Sequence, residues 1–429
     1  MVRPAEVVPD HSSAAAPRLL LITPPNSYRT AAYLAAARRR GISVLVASEG
    51  KYSLVSEIAG GLHINLQDPA AIDRLLAANR SCPFAGVVAS DDASVELGSR
   101  IAEQLELPHN PPQAARFSRR KDLSRQVLAA AGVPVPAHRV IDLGCPLPPQ
   151  LENSDDPCVV KPVALSASRG VIRADTPAQL IAACERIRRI ISREAVPDSF
   201  EATHVLLETF IPGPEVALEG LLQAGRLRVL AIFDKPDPLE GPYFEETYYI
   251  TPTRHTLADQ QQLVETVTAA CTALGLQEGP VHAEVRLHDS AAVIMEVAAR
   301  TIGGDCARLL QFGTGHGLED LVIAHAVGKP LPNEPQDGAA GVLMIPISEA
   351  GILRRVEGIS RARAIPGIED IVISIRDGYE LVPLPEGGSY LGFVFARAAS
   401  PAAAEAALRA AQAELDIVVA PVMRIEDRR

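Results

Sequence analysis

The sequence predicts a chain of mixed α/β and α+β structure, and three observations carry that expectation. Through roughly the first 110 residues, short apolar runs alternate with amphipathic stretches, the rhythm of parallel strands joined by crossover helices. Beyond residue 157, apolar runs follow one another with little but turn residues between them, the rhythm of hairpins. At 429 residues the chain is also longer than one core usually serves, so about two to four domains are expected.

Taken in order, residues 1–16, rich in Pro, Ser and Ala, read as a disordered leader. Residues 17–112 form the first domain, with strands at 18–23, 42–47, 62–66 and 84–89. Its helices are expected from Ser27 to Arg40, where Gly41 stops the first, and at 69–79 and 93–105. This alternation argues a Rossmann-like parallel sheet, but no G-x-G-x-x-G fingerprint is present, so no NAD site is expected. FSRRKDLSRQVLAAAGVPVP (117–136) reads as one amphipathic helix ending at Gly132. PCVVKP (157–162) is a strand, ALSASRG (164–170) a loop of small residues, and 177–193 a helix. Strands at 204–208, 215–222 and 226–233 precede a long helix at 256–274. Strands at 281–287 and 292–298 flank the turn HDS, and a helix follows at 318–327. After the Pro-rich break LPNEP (331–335), residues 333–429 read as a small α+β unit with one helix at 401–414.

Composition excludes several functions. The 41 basic and 52 acidic residues leave a net charge of −11, which argues against nucleic-acid binding. No run approaches 18 consecutive apolar residues, and the N-terminus lacks the apolar core of a secretory signal, so no membrane association is expected. Six Cys without a C-x-x-C pair fit reduced, mostly buried thiols and a cytoplasmic location. Only five residues are Lys: Lys51, Lys121, Lys161, Lys235 and Lys329. A chain that otherwise uses Arg makes each Lys worth inspecting.

Three constellations carry chemistry. Lys161 ends an apolar strand ahead of SASRG; a point charge beside a flexible small-residue loop suits a polyphosphate, although a surface hairpin would look similar. There is no Walker-type loop, and GTGHG (313–317) reads as a turn. Glu284 and Glu296 each interrupt an apolar strand, where a carboxylate is costly unless it is paired or bound to a metal. Adjacent antiparallel strands could bring both to one face, an arrangement that suits Mg²⁺, unless both simply face solvent on an edge. Arg300 falls at the end of the second of these strands, placed to clamp a phosphoryl group or pair with an acid. In LLETFIPGPEVALEG (206–220) a strand ends at Glu208, bends, and restarts at Glu215, a pattern that an ordinary hairpin connection shares.

The ordered set resembles the ATP-grasp superfamily over about residues 110–330, with the first domain matching its usual N-terminal partner. The resemblance implies a two-lobed core, with the first lobe at 113–203, the second at 204–332 carrying the metal site, and a C-terminal cover at 333–429. It implies that Lys121 and Lys161 contact the phosphates of ATP, and that Ser166, Ser168 and Gly170 belong to the loop closing over them. Glu208 would accept from the adenine amino group, Phe210 and Ile211 would offer backbone contacts, and Glu215 would bind ribose. Glu284 and Glu296 would hold Mg²⁺, or Mn²⁺ in its place, and Arg300 would stabilise an acyl-phosphate. The family's E-x-N-x-R reads here Glu296-Val-Ala298-Ala-Arg300, and Ala298 cannot ligate a metal.

Within the superfamily the ARTIGG and EETYYITP segments are similar to those of L-amino-acid ligases. That implies Gly303 or Gly304 at a substrate carboxylate, Glu246 at a substrate ammonium and His282 facing the same pocket, where an ordinary strand histidine is the alternative. The implied activity is ADP-forming ligation of a small-molecule carboxylate to an amine, with a homodimer as the base-rate assembly. An ATP-grasp carboxylase, a purine-pathway ligase and a weakly catalytic ATP-binding protein are the competing readings.

Overall fold

The computed structural model describes residues 17–25, 27–49, 60–152, 154, 157–194, 199–310, 316–331 and 337–422. The expected leader, Lys51 and most of the GTGHG and LPNEP segments lie outside the described residues. Strands β1 (Arg18–Thr23), β2 (Ser43–Ser48), β3 (Gly60–His63) and β4 (Gly86–Ala89) form a parallel sheet in the order 3-2-1-4. Helix α1 (Arg29–Arg39) crosses from β1 to β2, α2 (Ala70–Ser81) from β3 to β4, and α3 (Asp92–Gln104) follows β4. The run Leu19 to Ile22 is fully buried because it feeds two cores: Leu19 and Leu21 enter one, Leu20 and Ile22 the other. The strand order reverses between β1 and β4, and a crevice opens at such a switch point beyond the strands' C-terminal ends. Here it receives residues of the second lobe.

The helix expected over 117–131 is two: α4 (Pro112–Arg119) and α5 (Lys121–Ala130). Arg120 between them is extended, at φ −94° and ψ 102°. Tertiary bonds override the local propensity. The Arg120 guanidinium turns onto the Asp122 carboxylate at 2.8 and 2.7 Å, and the Lys121 N–H donates to the Val163 carbonyl at 2.9 Å. The break thus ties Lys121 to the small-residue loop.

The first lobe is an antiparallel sheet of β5 (His138–Asp142), β6 (Cys158–Pro162), β7 (Ile172–Ala174) and β8 (His204–Thr209), in the order 5-8-6-7. Helix α6 (Pro177–Ile191) covers it, capped by Thr176 with Pro177 in its first turn. The second lobe contributes β9 (Glu215–Gln223), β10 (Arg226–Lys235), β11 (Tyr248–Thr251), helix α7 (Leu257–Leu274), β12 (Gly279–His288) and β13 (Ala291–Ala298). The HDS turn is a two-residue hairpin connection with Asp289 and Ser290 both at positive φ. Helix α8 (Leu318–Ala326) then packs on α1 and β4.

The C-terminal strands do not stand apart. β14 (Ala339–Ile345) pairs with β11, and β18 (Gly392–Ala398) and β16 (Ile368–Ile373) extend the same sheet. The result is one eight-stranded antiparallel sheet in the order 13-12-9-10-11-14-18-16. β15 (Gly351–Glu357), β17 (Glu380–Leu381) and β19 (Asp416–Ala420) form a small separate sheet, and α9 (Pro401–Glu414) covers β14 and β18. One core joins the first domain, the second lobe and the C-terminal strands, from Leu19 and Leu21 to Ala217, Phe233, Ile302, Met344 and Phe395, while the first lobe has a core of its own around Val160, Ile187 and Leu207. None of the six cysteines is in a disulfide, and four of them are buried. Among the described residues, no helix is long and apolar enough to cross a membrane.

Gly213, in the bend between the lobes, sits at φ +110°, and a Cβ there would lie 2.2 Å from the Leu287 carbonyl oxygen. Gly213→Ala is expected to cost about 2 kcal/mol or more in denaturant unfolding. Gly225→Ala, also at positive φ but with open space around it, is expected to cost about 1 kcal/mol or less.

Candidate active site

Side-chain alternation puts the second lobe's charged residues on one face of its sheet. Glu215 and Glu219 share that face of β9, and His282, Glu284 and Arg286 share it on β12. The register sets Glu215 opposite both Arg286 and Lys235, Glu219 opposite His282, and Glu284 opposite Glu296. At the centre is Lys235. Its buried ammonium donates to Glu215 Oε1 at 2.7 Å, to Glu246 Oε1, and to Glu284 Oε1 at 3.2 Å. Burial alone would depress the Lys235 pKa, but the three carboxylates hold it well above its usual value. Burial lifts Glu246 to about 7 against the pull of Lys235, and the Tyr249 hydroxyl donates to the same oxygen at 2.8 Å.

The network continues inward. His282 Nδ1 lies 3.2 Å from Glu219 Oε2, and Nε2 lies 3.6 Å from Glu284 Oε1. Burial opposes the imidazolium, yet bonds to Glu219 and Glu284 raise His282 to about 9. The fully buried Glu219 also accepts the Ile302 N–H at 3.2 Å, which ties the strand face to the Thr301–Gly304 turn. Ala298, where the E-x-N-x-R pattern has Asn, lies directly opposite His282.

The first lobe and hinge bring the other cations. Lys161 is buried on β6 with its ammonium 2.5 Å from Glu208 Oε2, and Arg125 Nε donates to Glu208 Oε1 at 2.5 Å. Arg125, only 1% exposed, also donates to the Met295 carbonyl on β13, next to Glu296. Glu208 was expected to take an adenine amino group; in the structure both its carboxylate oxygens are already held by cations. Burial depresses Lys161 below its usual value even beside Glu208. Lys121 Nζ donates to the Leu165 carbonyl at 2.9 Å and lies 3.5 Å from Glu296 Oε2. The loop carrying Ser166, Ser168 and Gly170 therefore starts over Lys121. A Cβ on Gly170 would lie 2.8 Å from Pro162 Cγ, so the loop can fold onto β6 only with glycine there. At the hinge, the Phe210 N–H donates to Pro157 and the Ile211 carbonyl accepts from Arg286 Nη1 at 2.6 Å. Glu215 is held on both oxygens, by Lys235 and by Arg286 Nε at 2.8 Å.

The first domain closes the site at the switch point. Arg300 Nε bonds the Asp92 carboxylate at 3.1 and 3.0 Å, and its Nη1 donates to the Thr301 carbonyl at 3.0 Å. Arg29 pairs with Asp91 at 2.5 Å and donates to the Ile302 carbonyl at 3.1 Å. Gly303 lies beside this guanidinium, and Gly304 packs on the Phe393 ring and Cys306. Sequence reasoning missed Arg29, Asp91, Asp92, Arg125, Glu219 and the task of Lys235. Lys235 carried a signal in the scarcity of Lys, and Glu219 interrupts an apolar strand as Glu284 does. Asp91 and Asp92 follow β4 at the switch point, but Arg125 has no local signature.

The donors fit a hard divalent cation. Glu215, Glu246 and Glu284 each offer a carboxylate oxygen within 4.8 Å of the others. Glu215 has both oxygens taken by cations, whereas Glu284 meets Lys235 and His282 through Oε1, and Glu284 and Glu296 are the more exposed carboxylates at 22% and 26%. The pair opposed across β12 and β13 is therefore better placed to face an incoming metal.

Comparison with known proteins agrees with this architecture. Residues 34–109 match the ATP-grasp N-terminal domain, 154–308 the ATP-grasp domain, and 343–420 the L-amino acid ligase C-terminal domain 2. An uncharacterized protein of Sinorhizobium fredii is 27% identical over 92% of this chain and 82% of its own length. Dapdiamide A synthase of Enterobacter agglomerans is 25% identical over 60% of each chain. The crystal structure of L-amino acid ligase from Bacillus licheniformis superposes with a TM-score of 0.79 at 26% identity, covering 94% of this chain and 99% of that one.

The Arg300–Asp92 pair sets a pH-dependent expectation. Burial pushes the Asp92 carboxyl up, but Arg300 and Lys121 outweigh it and hold the group below its usual value. A depressed carboxyl stabilises the fold above its unfolded pKa of about 3.9 and loses that contribution as pH falls through its folded value. Asp92→Asn is expected to lose about 1–3 kcal/mol at pH 7, with the gap from the wild type closing below about pH 4. Denaturant unfolding across that pH range checks it; a constant gap contradicts it.

Proposed function

We propose, from the premise that this chain is an ATP-grasp ligase with the C-terminal domain of the L-amino acid ligases, an ADP-forming C–N ligase, that it joins an amino-acid carboxylate to an amine through an acyl-phosphate. The observation that carries the reading is the convergence, beneath the small-residue loop, of Lys121, Lys161, Glu284 and Glu296. That is the charge pattern a metal-bound polyphosphate needs. Glu284 and Glu296 would hold Mg²⁺, which supplies charge neutralisation on phosphate oxygens. Lys121 and Lys161 would bind the phosphates as compact cations, with Lys161 leaving Glu208 to do so.

The remaining roles follow from what each group already touches. Glu208, clamped by Arg125, would position Lys161 and the lobe hinge rather than read adenine through its carboxylate. Adenine readout then falls to the Phe210 carbonyl and the Ile211 N–H, because their other backbone groups are engaged. Ribose would meet Glu215 at the edge of the carboxylate cluster. The substrate carboxylate would lie by Arg300 and the Gly303–Gly304 turn, held in place by Arg29 and Asp92 from the first domain. That cluster already solvates the Lys235 ammonium, which is the chemistry a substrate ammonium requires at Glu246.

In the reaction the substrate carboxylate oxygen attacks the γ-phosphorus, and ADP leaves. The amine then attacks the acyl carbon, phosphate leaves, and the amine proton passes to solvent or a neighbouring carboxylate. The protein's part is orientation, charge neutralisation and exclusion of water. The lack of a disulfide at any of the six cysteines suits a reducing compartment such as the cytoplasm.

The test is phosphate release scanned over pairs of amino acids, with product mass spectrometry. Release that requires an amino acid and yields a dipeptide or amide mass is expected. Bicarbonate-dependent release without any amino acid contradicts it. Lys161→Ala and Glu296→Ala should each lower substrate-dependent ADP formation by on the order of 10²-fold or more. Chelation of divalent cations should stop it in the wild type, and full activity in either variant would sink the assignment.

A further inference from the structure

The small-residue loop of the first lobe is held from the far side by a part of the chain some two hundred residues away. The Gly170 N–H donates to the Pro385 carbonyl at 2.9 Å, and Arg169 Nε donates to the Glu386 carbonyl at 3.4 Å. The Glu386 carboxylate receives a two-pronged bond from Arg186 on α6, Nε to Oε1 at 2.7 Å and Nη2 to Oε2 at 2.8 Å. The third nitrogen of that guanidinium, Nη1, donates to the Tyr243 hydroxyl, and Tyr243 bridges to Ile172 at the start of β7. The turn that presents these groups is closed on itself by the Gly387 N–H donating to the Pro383 carbonyl at 2.9 Å. Gly388 leaves room for the Arg169 stem, since a Cβ there would lie 2.3 Å from Arg169 Cδ.

We infer that the turn 383–388 latches the small-residue loop over the phosphates, and that Glu386, acting through Arg186, is the positioning residue that sets it. The inference rests on the ligase reading for its consequence but not for its geometry. Opening the loop requires losing the Gly170–Pro385 bond and withdrawing α6 with Arg186 from Glu386. The ion pair is about one-third exposed on each side, so its contribution to global stability is small. Its effect is local: it fixes the loop that excludes water from the acyl-phosphate while the amine arrives. A loose latch therefore shows as ADP released without ligated product. Neither residue touches the reacting groups, and nothing in the sequence between 170 and 386 announces the pairing.

The experiment compares the full-length wild type, Glu386→Ala and the charge-reversed double variant Arg186→Glu with Glu386→Arg. Amide hydrogen exchange of the peptide spanning Gly170, measured without substrates, is expected to quicken in Glu386→Ala and to recover in the reversed pair. In turnover, Glu386→Ala is expected to raise the ratio of ADP to ligated product, and the KM for ATP, by on the order of threefold to tenfold. A thermal midpoint close to that of the wild type separates this from general destabilisation. Unchanged exchange at Gly170 and an unchanged ADP-to-product ratio would overturn the latch. Failure of the wild type to form ADP with any amino acid would instead overturn the ligase reading, and the exchange data would still decide the latch.

Discussion

A single ammonium makes the candidate site electrostatically tenable. Glu215, Glu219, Glu284 and Glu296 lie on one face of one sheet with Glu246 beside them, and like charges so close in a low dielectric repel strongly. Lys235 occupies the middle of three of them and compensates the group in the way a bound cation would. Other elements take their bearings from it. Glu215 passes the constraint through Arg286 to the Ile211 carbonyl in the hinge. Glu284 passes it through His282 and Glu219 to the Ile302 N–H in the Thr301–Gly304 turn. The hinge at Ile211, the strand carboxylate Glu284 and the Thr301–Gly304 turn are thereby tied to one another by one buried network.

The three blocks of the chain also act as one body around that network. Arg29 and Asp92 reach from the switch point of the parallel sheet to Ile302 and Arg300, so the first domain borders the candidate site. Arg125 joins the hinge carboxylate Glu208 to the backbone of β13, linking the lobes beneath Lys161. The C-terminal strands lengthen the second lobe's sheet through β11 and β14, which lets their turn 383–388 return over the first lobe.

Much of this was legible in residue pattern. Alternating apolar runs announce the parallel sheet, and apolar strands interrupted by Glu announce the β12–β13 hairpin that opposes Glu284 to Glu296. Local rules fail where distant contacts decide. FSRRKDLSRQ has no residue that forbids a continuous helix, yet it breaks at Arg120 because the Lys121 N–H is bonded to Val163. HRVID receives no assignment from its pattern, yet it forms β5 because β8 supplies the ladder. Arg125 and Asp92 acquire their roles from partners 170 and 208 residues away. Family resemblance pointed to Glu208 as an adenine contact, and only the side-chain geometry shows how fully its carboxylate is engaged. Lys235 is the instructive intermediate case: its rarity marked it, but its three partners lie on three different segments.

In the proposed reaction this arrangement phosphorylates a carboxylate. The most direct measurement follows oxygen. With an amino-acid substrate whose carboxylate carries heavy oxygen, attack on the γ-phosphorus transfers one labelled oxygen into the phosphate released with the product. Phosphate carrying one label per turnover, found only when the amine is also consumed, is the predicted result. Unlabelled phosphate alongside ligated product would contradict the account.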